Sequence, residues 1–135
     1  MCRLKPAMVS LIHIYIIRAA REVLTMSYSF RRVREANIAE LARHIRSSDD
    51  VLKLQQIARA LHRLSEVECN DGLNPRQQGR QSSLVKEATL TARVHGLSVY
   101  YQGDPRGWPL FLYPPELAAT IEYSYYEKGI GICPH

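Results

Sequence analysis

Residues 97–113 read LSVYYQGDPRGWPLFLY, and there the hydrophobic spacing changes from helical to alternating. Leu97-Ser98-Val99-Tyr100-Tyr101 and Leu110-Phe111-Leu112-Tyr113 are short β-branched or aromatic runs. They bracket Gly103-Asp104-Pro105-Arg106-Gly107, which makes the stretch a hairpin signal. Pro105 suits the second position of a type I turn because its ring pre-sets φ, with Asp104 before it and Gly107 closing the turn. Pro109, Pro114 and Pro115 have no N–H to give to a ladder, so the second strand is expected to be short and at an edge. A lone hairpin is marginal in water and must pack on helices or pair with another chain. An open edge of this kind invites homodimerisation through the hairpin.

Upstream the spacing is helical. Leu84, Val85, Ala88, Thr91 and Ala92 mark a helix that stops before Gly96, a residue suited to a left-handed cap. Leu54, Ile57, Ala58, Leu61 and Leu64 keep one apolar face from the capping run Ser47-Ser48-Asp49-Asp50 to about Glu68. Asn70-Asp71-Gly72 and Asn74-Pro75 separate these two helices. The polar run RQQGRQSS at residues 76–83 reads as a connection or a frayed helix start. The two helices are expected to lie antiparallel. Ile38, Leu41, Ala42 and Ile45 predict an earlier amphipathic helix over about residues 30–46. Pro115-Glu116 is placed to open a last short helix through Ile121 and Tyr125. The expected fold is α+β: a helical N-terminal segment, an antiparallel helix pair and a C-terminal β-hairpin. Residues 1–29 read as a loosely attached apolar and basic segment, and residues 30–135 as a single α+β domain.

The 135 residues are 46% apolar and 23% charged with a net charge of +5, the balance of an ordinary globular domain. That excludes a disordered tail and a disulfide-dense secreted scaffold. The positive charge is uneven: residues 1–48 carry nine Lys/Arg and three Glu, while residues 49–135 carry nine Lys/Arg and ten Asp/Glu. Arg31, Arg32 and Arg34 form the densest knot, which reads either as a solvated helix face or as a track for phosphates. Cys2, Cys69 and Cys133 are far apart, odd in number and in no CxxC pattern, which points to free thiols in a reducing, cytoplasmic setting. The apolar run AMVSLIHIYII at residues 7–17 is followed by Arg18, Arg21 and Glu22 rather than a small-residue cleavage site. It falls well short of the roughly 20 residues that cross a bilayer, so no membrane partner is expected.

Two groups of residues could carry function. A rigid turn would hold Arg106 outward beside Tyr101 and Trp108, with little entropy left to lose on binding. An arginine flanked by aromatics suits a partner hot spot or a phosphate-and-base contact. The candidate binding residues are therefore Arg106, Trp108, Tyr101 and Asp104, joined by Arg31, Arg32 and Arg34 of the basic end. The second group is His62, Glu66 and Cys69, which share a helical face and offer imidazole, carboxylate and thiol to a metal. It lacks the second histidine of an HExxH site, and a surface His–Glu pair beside a buried cysteine explains it as well. Glu66 and Glu68 point apart on a helix and make a poor acid/base pair. Tyr123, Tyr125 and Tyr126 suit packing or an interface. No phosphate-binding glycine loop or nucleophile elbow is present in the sequence, and no cofactor is expected.

The run VYYQGDPRGWPLFLY at residues 99–113 resembles the end of a family of small, uncharacterised phage and prophage proteins. In that family a motif close to QGDPRG-x-PLYL follows a helix ending in Gly-Leu. The run LHRLSEVECN at residues 61–70 is similar to the family's upstream helix, so the resemblance spans about residues 52–114. It implies a small phage-type protein acting in the host cytoplasm as a non-enzymatic binding module for a host protein or nucleic acid. A small metal-dependent enzyme built on His62, Glu66 and Cys69, and a DNA-binding protein led by the basic N-terminal half, are the other readings.

Overall fold

The chain folds as α1 (Ile16–His44), α2 (Ser48–Asp71), α3 (Pro75–Arg93), β1 (Ser98–Tyr101), β2 (Leu110–Tyr113) and β3 (Ile130–Ile132). The structure is a computed structural model that describes residues 16–116 and 129–135, with side chains from residue 29 onward. The architecture is α+β: helices packed on one face of a small antiparallel sheet. The expected last helix beyond Glu116 and the tyrosines at 123, 125 and 126 lie outside the described residues. Among the described residues no helix is long and apolar enough to cross a membrane.

Helix α1 starts well before residue 30 and crosses the expected 29/30 boundary without a break. Its inward stripe is Asn37, Leu41 and Ile45, all buried, whereas Ala42 is exposed. Ser47 caps α2 by accepting from the Asp50 N–H at 3.3 Å. Asp49 and Asp50 then place negative charge at the positive end of the helix dipole. Val51, Leu54, Ile57, Ala58, Leu61 and Leu64 form the buried face. Gly72, at φ 77°, ends the helix with its N–H on the Glu68 carbonyl.

Residues 76–83 are helix, not connection. Asn74 accepts from the Gln77 N–H at 2.8 Å and its own N–H donates to Gln77 Oε1 at 3.0 Å, closing a capping box with Pro75 in the first turn. The box satisfies otherwise orphaned donors, so a polar run with little apolar surface still starts cleanly. Helices α2 and α3 run antiparallel: His95 Nε2 meets Asp50 Oδ2 at 2.7 Å and Lys53 meets Glu87 at 3.3 Å at one end, while Gln81 meets Glu68 at 3.2 Å towards the other.

The hairpin expected from residues 97–113 is two strands of a three-stranded sheet in the order β1-β2-β3. β2 is therefore central, not an edge, and pairs antiparallel with both neighbours: Tyr100 opposes Phe111, and Phe111 opposes Gly131. Pro109 and Pro114 flank it and remove no ladder donor. Homodimerisation through the second strand of the hairpin is thus closed off, because β3 occupies that edge. On the outer side of β3, Asn37 Nδ2 donates to the Gly131 carbonyl at 2.7 Å and Asn37 Oδ1 accepts from the Cys133 N–H at 2.8 Å. One side-chain amide thus stands in for a neighbouring strand. Alternation sends Val99, Tyr101, Leu110, Leu112, Ile130 and Ile132 to the helices, and Tyr100, Phe111 and Tyr113 to the opposite face with Trp108.

Candidate functional site

The bend between β1 and β2 is built around Gln102, a buried polar residue. Its Nε2 donates to the carbonyls of Asp104 (2.8 Å) and Trp108 (2.7 Å), its Oε1 accepts from the Asp104 N–H (2.9 Å), and its backbone N–H reaches the Pro109 carbonyl (3.0 Å). The side-chain amide fills the loop from inside and pairs backbone groups that would otherwise be stranded. Asp104 then shapes the tip: Oδ1 accepts from the Arg106 N–H at 2.9 Å and its carbonyl accepts from Gly107 at 3.2 Å. From below, His62 Nε2 lies 3.0 Å from the Pro105 carbonyl, and its Nδ1 lies 3.3 Å from Glu66.

Arg106 stands on this frame with its side chain 80% exposed. Its guanidinium is held side-on by Asp104: Nε reaches Oδ1 at 3.0 Å and Oδ2 at 3.2 Å, and Nη2 reaches Oδ2 at 2.8 Å. The Arg106 hydrogen bonds, side chain first and backbone second, pull the Asp104 carboxyl from 3.8 to about 2. Solvent screens so exposed a pair, and what it contributes is orientation. Trp108 is half-buried, its ring over Gly131.

Among the described residues two cavities flank the tip, and Arg106 lines both. One, of about 310 Å³, is bounded by Ser65, Glu68, Cys69, Gly103, Asp104 and Pro105. The other, of about 470 Å³, is bounded by Glu40, Gly107, Trp108, Phe111, Gly129 and Gly131.

The comparisons with known proteins identify nothing. No family model, no curated protein and no solved structure matches the chain.

Of the expected binding residues, Arg106, Asp104 and Trp108 come together at the tip. Tyr101 does not join them. Strand alternation turns it to the helix face, where its hydroxyl accepts from Gln81 Nε2 at 2.8 Å and lies 3.5 Å from Ser65 Oγ. Arg31, Arg32 and Arg34 lie on α1, the first two exposed and the third half-buried. At about 100° per residue they fan around the helix and form no single stripe.

The metal constellation is not assembled. His62 and Glu66 pair with each other, but Cys69 is disulfide-bonded, which withdraws the thiolate and corrects the expectation of free thiols; Cys133 is free and buried. Among the described residues no three His, Cys, Asp or Glu converge as metal ligands.

Sequence reasoning missed Gln102, Glu40 and Gly131. The His135 ring packs edge-on against His62, with centroids 5.6 Å apart, and against Phe30 at 5.1 Å. Burial and the charge of His62 lower its pKa below the usual 6.5. Gln102 carried the one available signal, a polar residue at the inner end of a strand beside a turn. Nothing local marks the others, since they meet the loop from α1 and from the distant end of the chain.

Proposed function

We propose that the protein is a non-enzymatic binding module and that it engages a protein partner through the Gln102–Trp108 loop. One observation carries this reading: an exposed arginine held in a single orientation by its own carboxylate, between two cavities. A preset side chain loses little entropy when it is covered, and arginine with tryptophan is the pairing that dominates interface hot spots. Because Asp104 already balances the charge of Arg106, the tip suits a protein surface better than a phosphate backbone, where each contact needs a free positive charge. The resemblance of residues 99–113 to small phage and prophage proteins supports a host protein as that partner.

The test is affinity capture from host lysate with the native chain and with the Arg106→Ala and Trp108→Ala variants. A partner retained by the native chain and lost with both variants is the expected result. A captured set that neither substitution changes overturns the proposal. Retention of duplex DNA that weakens with salt and on replacing Arg31, Arg32 and Arg34 would put recognition on α1 instead.

A further inference from the structure

The larger cavity beside the tip has a composition that selects one kind of occupant. Its wall is partly aromatic: half-buried Trp108 and buried Phe111 line it, together with the backbone of Gly129 and Gly131, against which the Tyr113 and Trp108 rings pack. Its volume of about 470 Å³ falls within the roughly 300–1,000 Å³ of pockets that take small ligands. Two charged side chains stand at its rim, Glu40 from α1 and Arg106 from the loop. They are not equivalent. Arg106 donates three hydrogen bonds to Asp104, whereas Glu40 makes no ion pair among the described residues. Among the described residues the uncompensated charge at the mouth is therefore negative, in a chain whose total charge is +5.

We infer that this cavity receives an arginine side chain presented by a protein partner. The planar guanidinium stacks on the half-buried Trp108 indole, and its N–H groups fork onto the exposed Glu40 carboxylate. A purely apolar side chain would leave the Glu40 charge facing it, and an anion would meet that carboxylate directly. Lysine offers a point charge without a planar face, and so uses Glu40 but gains less from the indole. The inference rests on the loop being a recognition surface and adds the chemistry of what it recognises.

Trp108 is the only tryptophan in the chain, so its fluorescence reports on this cavity alone. The experiment titrates the full chain with Nα-acetyl-arginine methylamide, and in parallel with the citrulline and norleucine analogues and with inorganic phosphate. The arginine probe should give a saturable change with Kd of about 1 mM, the scale expected of a single side chain. Citrulline, of the same shape but neutral, should bind at least about fivefold more weakly, and Glu40→Gln should erase that preference. Glu40 is exposed, so the variant should keep the native far-ultraviolet dichroism. Equal binding of citrulline or norleucine, a preference that survives Glu40→Gln, saturation by phosphate, or no response to the arginine probe would each overturn the inference. If the arginine probe fails while Arg106→Ala still abolishes partner capture, the recognition loop stands and only its arginine ligand is lost. If both fail, the loop itself is not the binding surface.

Discussion

The Trp108 indole lies so close to Gly131 that a Cβ on the glycine would overlap Trp108 Cε3. The same Cβ would be 3.2 Å from Phe111 Cε1, so the ring cannot slide towards its neighbour to make room. Glycine at 131 is therefore a packing requirement of the candidate cavity. Gly131→Ala should push the indole outward, cost about 1–3 kcal/mol in the way overpacked sites do, and red-shift the tryptophan emission. Denaturant unfolding and an emission spectrum check both; an unchanged spectrum would mean that the ring does not rest there.

Asn37 joins α1 to β3 through two hydrogen bonds from one amide, to Gly131 and Cys133. Asn37→Ala strands a buried N–H and a carbonyl on the outer edge of β3, which should cost about 1–3 kcal/mol. Asn37→Asp retains the acceptor for Cys133 and loses the donor to Gly131, so it should be intermediate if the two bonds act separately. Midpoints of chemical denaturation for the two variants decide the point. Equal stability of both with the native chain would show that β3 needs no partner on that side.

Much of this fold was legible from local chemistry, and what escaped was non-local. Leu54, Ile57, Ala58, Leu61 and Leu64 announced α2 because one buried face repeats at helical spacing, and Gly96 announced its own left-handed φ of 72°. The Asp104-Pro105-Arg106-Gly107 turn followed from residue preferences within four positions. The segment containing β3 has two glycines and a cysteine, which gives no strand signal. It becomes a strand because β2 and the Asn37 amide satisfy its two edges. The same blindness placed β2 at an edge: its prolines were visible, but the distant strand that covers it was not. For the candidate site, Arg106 at an exposed tip was readable. Its neutralisation by Asp104 needs the actual rotamers, and Glu40 at the neighbouring cavity needs the packing of α1.

Gly79 offers a test of α3 that touches no function. It lies inside the helix, and nothing stands within 4 Å of where a Cβ would be. Gly79→Ala should therefore stabilise the protein by about 0.4–1 kcal/mol, by restricting the unfolded chain and improving helix propensity. A rise in the denaturation midpoint with unchanged slope is the expected outcome. A fall would mean that residues 76–83 are not helical, contrary to the capping box at Asn74 and Gln77.

Among the described residues two groups, His135 and Asp104, have shifted pKa values that make stability depend on pH, in separate windows and in the same direction. His135 holds its proton less tightly in the folded state than the ordinary 6.5, through burial first and the positive charge of His62 second; Glu66 opposes this and Arg59 adds to it. A folded-state pKa below the unfolded one means the contribution is complete above 6.5 and is lost as pH falls through that value, when the unfolded chain takes up a proton the folded chain resists. Asp104 follows the carboxylate pattern: the stability from its pairing with Arg106 is present above 3.8 and disappears as pH falls towards about 2. The pair faces solvent, which lets salt weaken that second step. Unfolding midpoints should therefore drop once below about pH 6.5, where His135 charges against His62, and again in acid. His135→Gln should remove the upper drop and leave the acid one, and Asp104→Asn should do the reverse. A His135 imidazole that titrates by NMR at or above 6.5 would contradict the packing that joins His62, His135 and Phe30 beneath the loop.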